Sequence, residues 1–143
     1  MHKKFLQTGA ALGFVAIALG AFGAHTLKAH VSEQAVNIFE TGVRYQCYHA
    51  IALILTGILY KEFPNKFIVW AGRLFTTGII LFSGSLYLLT YLKGFHVQGY
   101  DWTGIVTPVG GLAFLSGWLC LLRGLSALSL PAHGYDNKKK EGS

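Results

Sequence analysis

Acidic side chains are scarce in this chain. Six aspartates and glutamates face twelve lysines and arginines, and charged residues make up only 13% of the 143. A soluble domain carries about 25%. Hydrophobic residues reach 52% and mean hydropathy is +0.45. So apolar a chain of one-domain length cannot hide these side chains in a small hydrated fold, and lipid is the simpler solvent. Cysteine is nearly absent as well: Cys47 and Cys120 are too few for a disulfide framework. Motifs that carry chemistry are missing. There is no C-x-x-C, C-x-x-C-H or H-E-x-x-H, and no Ser/His/Asp arrangement with usable spacing. The net charge of +6 raises nucleic acid as a partner. The basic residues, however, sit at the ends of apolar runs and in a terminal Lys138-Lys139-Lys140, the pattern of a membrane protein. The expected partner is therefore the lipid bilayer rather than nucleic acid, and no metal or other cofactor is expected.

What the chain does have is length of apolar sequence. Phe5 to Ala24 is twenty residues without a charge, which at ~1.5 Å per residue crosses a ~30 Å hydrocarbon core. Met1-His2-Lys3-Lys4 in front gives it the look of a signal peptide. It is read as a retained helix, because later segments also span. Gly9 and Gly13 form a GxxxG, and Ala16, Gly20 and Ala24 continue the small residues. Packing within the bundle is favoured over a dimer seam for this stripe.

Ser32 is placed to cap a helix. From Glu33 onward, Val36, Phe39, Val43 and Ala50 share one face while Glu33, Asn37, Glu40 and Arg44 share the other. An amphipathic surface helix over 33–44 therefore leads into a second span at about 43–60. Glu40 and Arg44 are spaced to pair. Pro64 ends that helix in a polar turn. A third span follows at about 70–92, with Arg73 at its edge and Ser83 and Ser85 near mid-membrane. A loop with Gly99 and Asp101 precedes Thr107-Pro108, read as the start of a fourth span at about 108–124. The domain is thus 1–125, and 126–143 is a polar tail predicted to be disordered.

The fold class predicted is all-α: an integral membrane four-helix bundle with both termini on one side. That side carries Lys3, Lys4, Lys61, Lys66, Arg73, Arg123 and Lys138 to Lys140, nine cations, while Lys28, Arg44 and Lys93 lie opposite. Positive charge stays in the cytoplasm, so both termini are predicted cytoplasmic in the cell inner (plasma) membrane.

This topology puts His25, Arg44, Tyr45, His49 and Asp101 on the outer side, where they can converge on one polar pocket. Charged or titratable groups entering a membrane usually face protein or water. One reading has His49 bonded to a neighbouring side chain, locking the bundle, with Arg44 an interfacial anchor. Another makes the cluster a ligand or ion site. A third uses His25 and His49 as the only plausible axial pair for haem.

Four blocks carry a resemblance: GAFGAH at 20–25 followed by LK at 27–28, FETGVRYQCYHAIAL at 39–53, GRLFTTGIILFSGSLYLL at 72–89 and TPVGGLAFLSGW at 107–118. In this order they resemble the small membrane family known as domain of unknown function 423, with which eukaryotic transmembrane protein 256 is grouped. The resemblance implies a four-span inner-membrane protein and no particular reaction. His25, Arg44, Tyr45, His49, Arg73, Ser83, Ser85 and Pro108 lie inside its blocks. The function expected is non-enzymatic: a self-associating bundle or an accessory subunit of a membrane complex. The alternatives are an oligomeric transporter of ions or small molecules, and a haem- or quinone-linked redox subunit.

Overall fold

Backbone surrounded by apolar side chains must satisfy its own hydrogen bonds, so long apolar runs fold as helices. The computed structural model describes residues 1–94 and 103–126. Among them every regular element is helical: α1 Lys3–His25, α2 Glu33–Leu59, α3 Lys66–Gly78, α4 Gly84–Gly94 and α5 Thr103–Ser126. A 3-10 turn, Leu27–Ala29, connects α1 to α2, and a π-helical turn, Ile79–Ser83, joins α3 to α4. Asp101 and the tail from 127 lie outside the described residues.

Three stretches, Lys3–Ala29, Lys66–Gly94 and Gly104–Ser126, are long and apolar enough to cross a membrane. Helix α2 is long enough, since its 27 residues extend ~40 Å. Its hydropathy is diluted by an exposed polar face of Glu33, Asn37, Glu40 and Arg44 and by buried Gln46 and His49. The amphipathic stretch and the apolar stretch after it form this single unbroken helix. Ser32 caps it, accepting from the amide of Ala35 at 3.3 Å. Helix α5 starts earlier than Thr107-Pro108 predicts. It begins at Thr103, so Pro108 lies inside it and leaves the carbonyl of Gly104 without its usual donor.

Two glycine seams set the packing. Along α1, Gly9, Ala16 and Gly23 are buried against α2. A Cβ on Gly9 would come within 2.8 Å of the Ala50 carbonyl oxygen, whereas one on Gly13 would meet nothing. Gly9, Ala16 and Gly23 are thus spent inside the chain, while Gly13 meets no neighbour and Ala24 is exposed. Between α3 and α5, glycines receive large side chains in alternation. Gly78 faces Phe114, Gly117 faces Phe75 and Gly124 faces Ile68. Ridges at three- and four-residue spacing interdigitate this way, and small residues let the backbones close up. Helix α2 packs on α1, α3 and α4 and so joins the two hairpins.

Two contacts gather one end of the bundle. The amide of His2 donates to Gly57 O at 2.8 Å, and Asn65 Nδ2 donates to Gly124 O at 3.0 Å. Asn65 also caps α3, accepting from the amides of Phe67 and Ile68. Lys3, Lys4, Lys61, Lys66 and Arg123 belong to this near end. Lys28 and Lys93 belong to the far end, where α1 and α4 finish.

Candidate functional site

Midway along α2, a buried glutamine and a buried histidine lie three residues apart, on one face of the helix. His49 is held at both ring nitrogens. Nδ1 sits 2.8 Å from the carbonyl oxygen of Tyr45, one turn back, and Nε2 lies 3.3 Å from the indole nitrogen of Trp118 on α5. An indole can only donate, so Nε2 must accept, and the proton belongs on Nδ1, bonded to Tyr45. The pair of bonds selects the neutral imidazole. Its ring stacks on Phe114, with centroids 3.5 Å apart and planes within 10°, and tilts against Phe75 at 5.6 Å.

Gln46 uses both ends of its amide. Nε2 donates to Leu12 O in α1 at 2.9 Å, and Oε1 accepts from the Tyr87 hydroxyl of α4 at 2.9 Å. One side chain thereby ties three helices together. Deeper in α2, Thr56 donates back to Ala52 O at 2.7 Å, a bond that hides a hydroxyl inside an apolar helix. Thr90 donates to Leu86 O at 2.9 Å and lies 3.3 Å from Ala35 O.

Of the predicted pocket residues, Tyr45 and His49 come together, with ring centroids 6.1 Å apart, and Tyr45 also packs on Phe82 at 4.7 Å. Arg44 is exposed and unpaired with Glu40: the only ion pair among the described residues is Lys61–Glu62 at 3.9 Å. His25 is exposed at the end of α1. In the α1–α2 register Gly23 meets Phe39 and Gly9 meets Ala50, which sets His25 and His49 roughly 17 Å apart along the axis. One iron cannot bridge that gap. Asp101 falls outside the described residues. Ser85 meets the Thr107 hydroxyl at 2.7 Å. Ser83, in the π-helical turn, is fully buried, and its hydroxyl has no partner among the described residues. Cys47 and Cys120 are free thiols. Among the described residues no three metal-ligating side chains cluster.

Sequence reasoning passed over Gln46, Tyr87 and Trp118. Gln46 left a signal, because an amide inside an apolar run demands partners. Trp118 left none, because its bond to His49 spans 69 positions and depends on how α5 is docked. A separate cavity of about 660 Å³ lies at the far end between α1, α2 and α4, and none of His25, Arg44, Tyr45 or His49 lines it.

Comparison with known proteins adds a family. The DUF423 family, described as protein of unknown function, matches residues 19–111. A UPF0382 membrane protein of Staphylococcus haemolyticus is 38% identical over 120 residues, covering 84% of this chain and 93% of the relative. The UPF0382 membrane protein YwdK of Bacillus subtilis is 36% identical over 121 residues, covering 84% and 94%. The UPF0382 inner membrane protein YgdD of Escherichia coli is 35% identical over 125 residues, covering 87% and 91%. No solved structure matches the chain.

Proposed function

The chain belongs to the DUF423 family, whose curated relatives are membrane proteins, and we propose that it is a non-enzymatic, four-span bundle that works by packing against other membrane helices, its own copies or those of a larger complex. The observation that carries this reading is the saturation of α2. Both nitrogens of His49 and both ends of Gln46 are committed to partners within the chain. Neither ring nitrogen of His49 and neither end of the Gln46 amide is left unbonded. Gln46 and His49 thereby join helices, as interhelical hydrogen bonds do in membranes.

The outward faces support the same reading. Leu112, Leu115, Leu119 and Leu122 form a 3-4-3 ridge on α5, each more than 60% exposed. Helix α2 acts as the fourth span, its exposed polar face of Glu33, Asn37, Glu40 and Arg44 confined to its N-terminal half, on the headgroup side of the crossing. Both termini face the cytoplasm, on the side rich in lysine and arginine. YgdD is named an inner membrane protein, which supports the same membrane for this chain.

The test is size-exclusion chromatography with light scattering after extraction in a mild detergent. A homo-oligomer, or a stoichiometric co-purifying membrane protein, is the expected result. A strictly monomeric protein with no partner overturns the reading.

A further inference from the structure

We infer that the exposed face of α2 is the surface on which a second copy of this chain docks, Arg44 of each copy pairing with Glu40 of the other, a reading that rests on the packing function proposed above and on α2 crossing beside α1.

The face follows from helix geometry. In the unbroken helix α2, Asn37, Glu40, Arg44, Tyr48, Ile51 and Leu55 recur three or four residues apart, and all six are exposed. They form one stripe, on the side away from buried Gln46 and Leu53. Depth makes the charged part of this stripe costly. In the α1–α2 register Gly20 meets Val43 and Gly23 meets Phe39. Arg44 therefore lies level with Leu19, roughly 7 Å inside the end of the uncharged run of α1 at Ala24, and Glu40 lies level with Phe22. Charged groups at such depth ordinarily face the bundle interior or one another. These two face outward, and neither has an ion-pair partner among the described residues. The stripe is therefore completed from outside the chain. The leucine ridge of α5 makes no such demand, because lipid covers an apolar ridge as well as protein does.

Charge identifies the occupant. The stripe carries one cation and one anion a single helical turn apart, so it is complementary to itself. Copies inserted in the same direction bring two α2 helices together in parallel, about a two-fold axis along the membrane normal, and every contact across that axis is made twice. Side chains on a helix lean toward its N-terminus, so Arg44 rises toward the level of Glu40. There its planar fork meets the carboxylate of the second copy, a charge-assisted pairing that suits arginine. Deeper in the membrane, Tyr48, Ile51, Leu55 and Ile58 follow at 3-4-3 spacing, all exposed, the seam along which parallel helices interlock. A lipid phosphate would answer Arg44 and leave Glu40 unpaired. A second copy answers both.

Exchanging charge between copies tests this. Arg44→Glu makes the pair wholly acidic, and Glu40→Arg makes it wholly basic. Each variant is expressed with two different tags, by itself and together with the other variant, and complexes are captured from mild detergent through one tag. Each variant should recover its own second-tagged copy about tenfold less than the unaltered chain does, while the two variants recover each other at the unaltered level. Self-capture at the unaltered level, or no mutual recovery between two folded variants, overturns the pairing. Disulfide trapping decides if either variant misfolds. With Cys47 and Cys120 replaced by alanine, Ile51→Cys should form a covalent dimer in oxidised membranes, since a disulfide needs Cα atoms within about 7 Å, and Leu115→Cys should not. No trapping at Ile51, or trapping at Leu115 instead, overturns the α2 face and leaves the packing function standing. A stoichiometric foreign membrane protein in place of the second copy overturns the partner alone. A strict monomer overturns both readings.

Discussion

The indole N–H of Trp118 donates to Nε2 of His49 across 3.3 Å, while Phe114, one turn before Trp118, stacks on the same imidazole at 3.5 Å. Helix α5 therefore grips one residue of α2 with two side chains. Trp118→Phe keeps most of the ring that packs edge-on to Phe75 at 5.2 Å but removes the donor. Interhelical bonds in membranes are worth about 0.6 kcal/mol on average and up to ~1.7. A double-mutant cycle of Trp118→Phe with His49→Phe, read by thermal unfolding in detergent, should return a coupling of about 1 kcal/mol. Coupling indistinguishable from zero would show that the two residues merely touch.

Gln46 separates two kinds of damage. Gln46→Leu removes both bonds and leaves the Tyr87 hydroxyl unpaired, a loss of about 1–3 kcal/mol. Gln46→Glu removes the donor to Leu12 O and sets a carboxylate against that carbonyl, and if α2 crosses the membrane the charge costs about 2.5–3.5 kcal/mol. The glutamate variant should therefore unfold at lower denaturant than the leucine variant. The reverse order would mean that water reaches this position and solvates the charge.

Helix periodicity, the Ser32 cap and the exposed face of α2 were all legible in the sequence, because each depends on spacing within one helix. The small-residue stripe of α1 was legible only in part: Gly9 and Ala16 are buried, but no neighbour covers Gly13 and Ala24 is exposed, with Gly23 buried in its place. The partners of His49 and Gln46 were not legible. They come from α1, α4 and α5, and a bond across the bundle depends on the axial stagger of helices that no local pattern encodes. Gly110, Gly117 and Gly124 do recur every seven residues, a seam visible in the sequence but not with its partners. Thr107-Pro108 suggested a helix start because proline favours the first turn. Helix α5 nonetheless begins at Thr103 and carries the proline within it. The far-end cavity had no signature, since its walls are ordinary aromatic and aliphatic residues from three helices.

Adjacent glycines on α5 should respond oppositely to the same change. A Cβ on Gly110 would run into the backbone nitrogen and Cα of Phe82, whereas on Gly111 the nearest atom is a Phe82 ring carbon at 3.9 Å. Backbone cannot rotate away as a side chain can. Gly110→Ala should cost about 1–3 kcal/mol through overpacking, and Gly111→Ala should stay within about 0.5 kcal/mol. Thermal midpoints measured side by side in one detergent decide this. Equal midpoints would mean that α5 slides along the π-helical turn to make room.

Whether α2 crosses the membrane can be read from its two ends. Three other stretches are apolar enough on their own, but α2 reaches the required length with polar residues along it. Exposed Lys28 precedes it and exposed Lys61 follows it. If α2 lay on the surface, both lysines would share one side. If it spans, they are separated, and the positive-inside rule predicts that Lys61, at the lysine-rich near end, is the one in the cytoplasm. Lys28→Cys and Lys61→Cys are made separately in a background with Cys47 and Cys120 replaced by alanine, and intact cells (spheroplasts, if there is an outer membrane) are treated with a membrane-impermeant maleimide. Lys28→Cys should label at once, and Lys61→Cys only after the membrane is permeabilised. Labelling of both from outside would leave α2 uncrossed. Labelling of Lys61→Cys alone would invert the orientation while keeping the fourth span, so a single pair of variants separates the helix count from its direction.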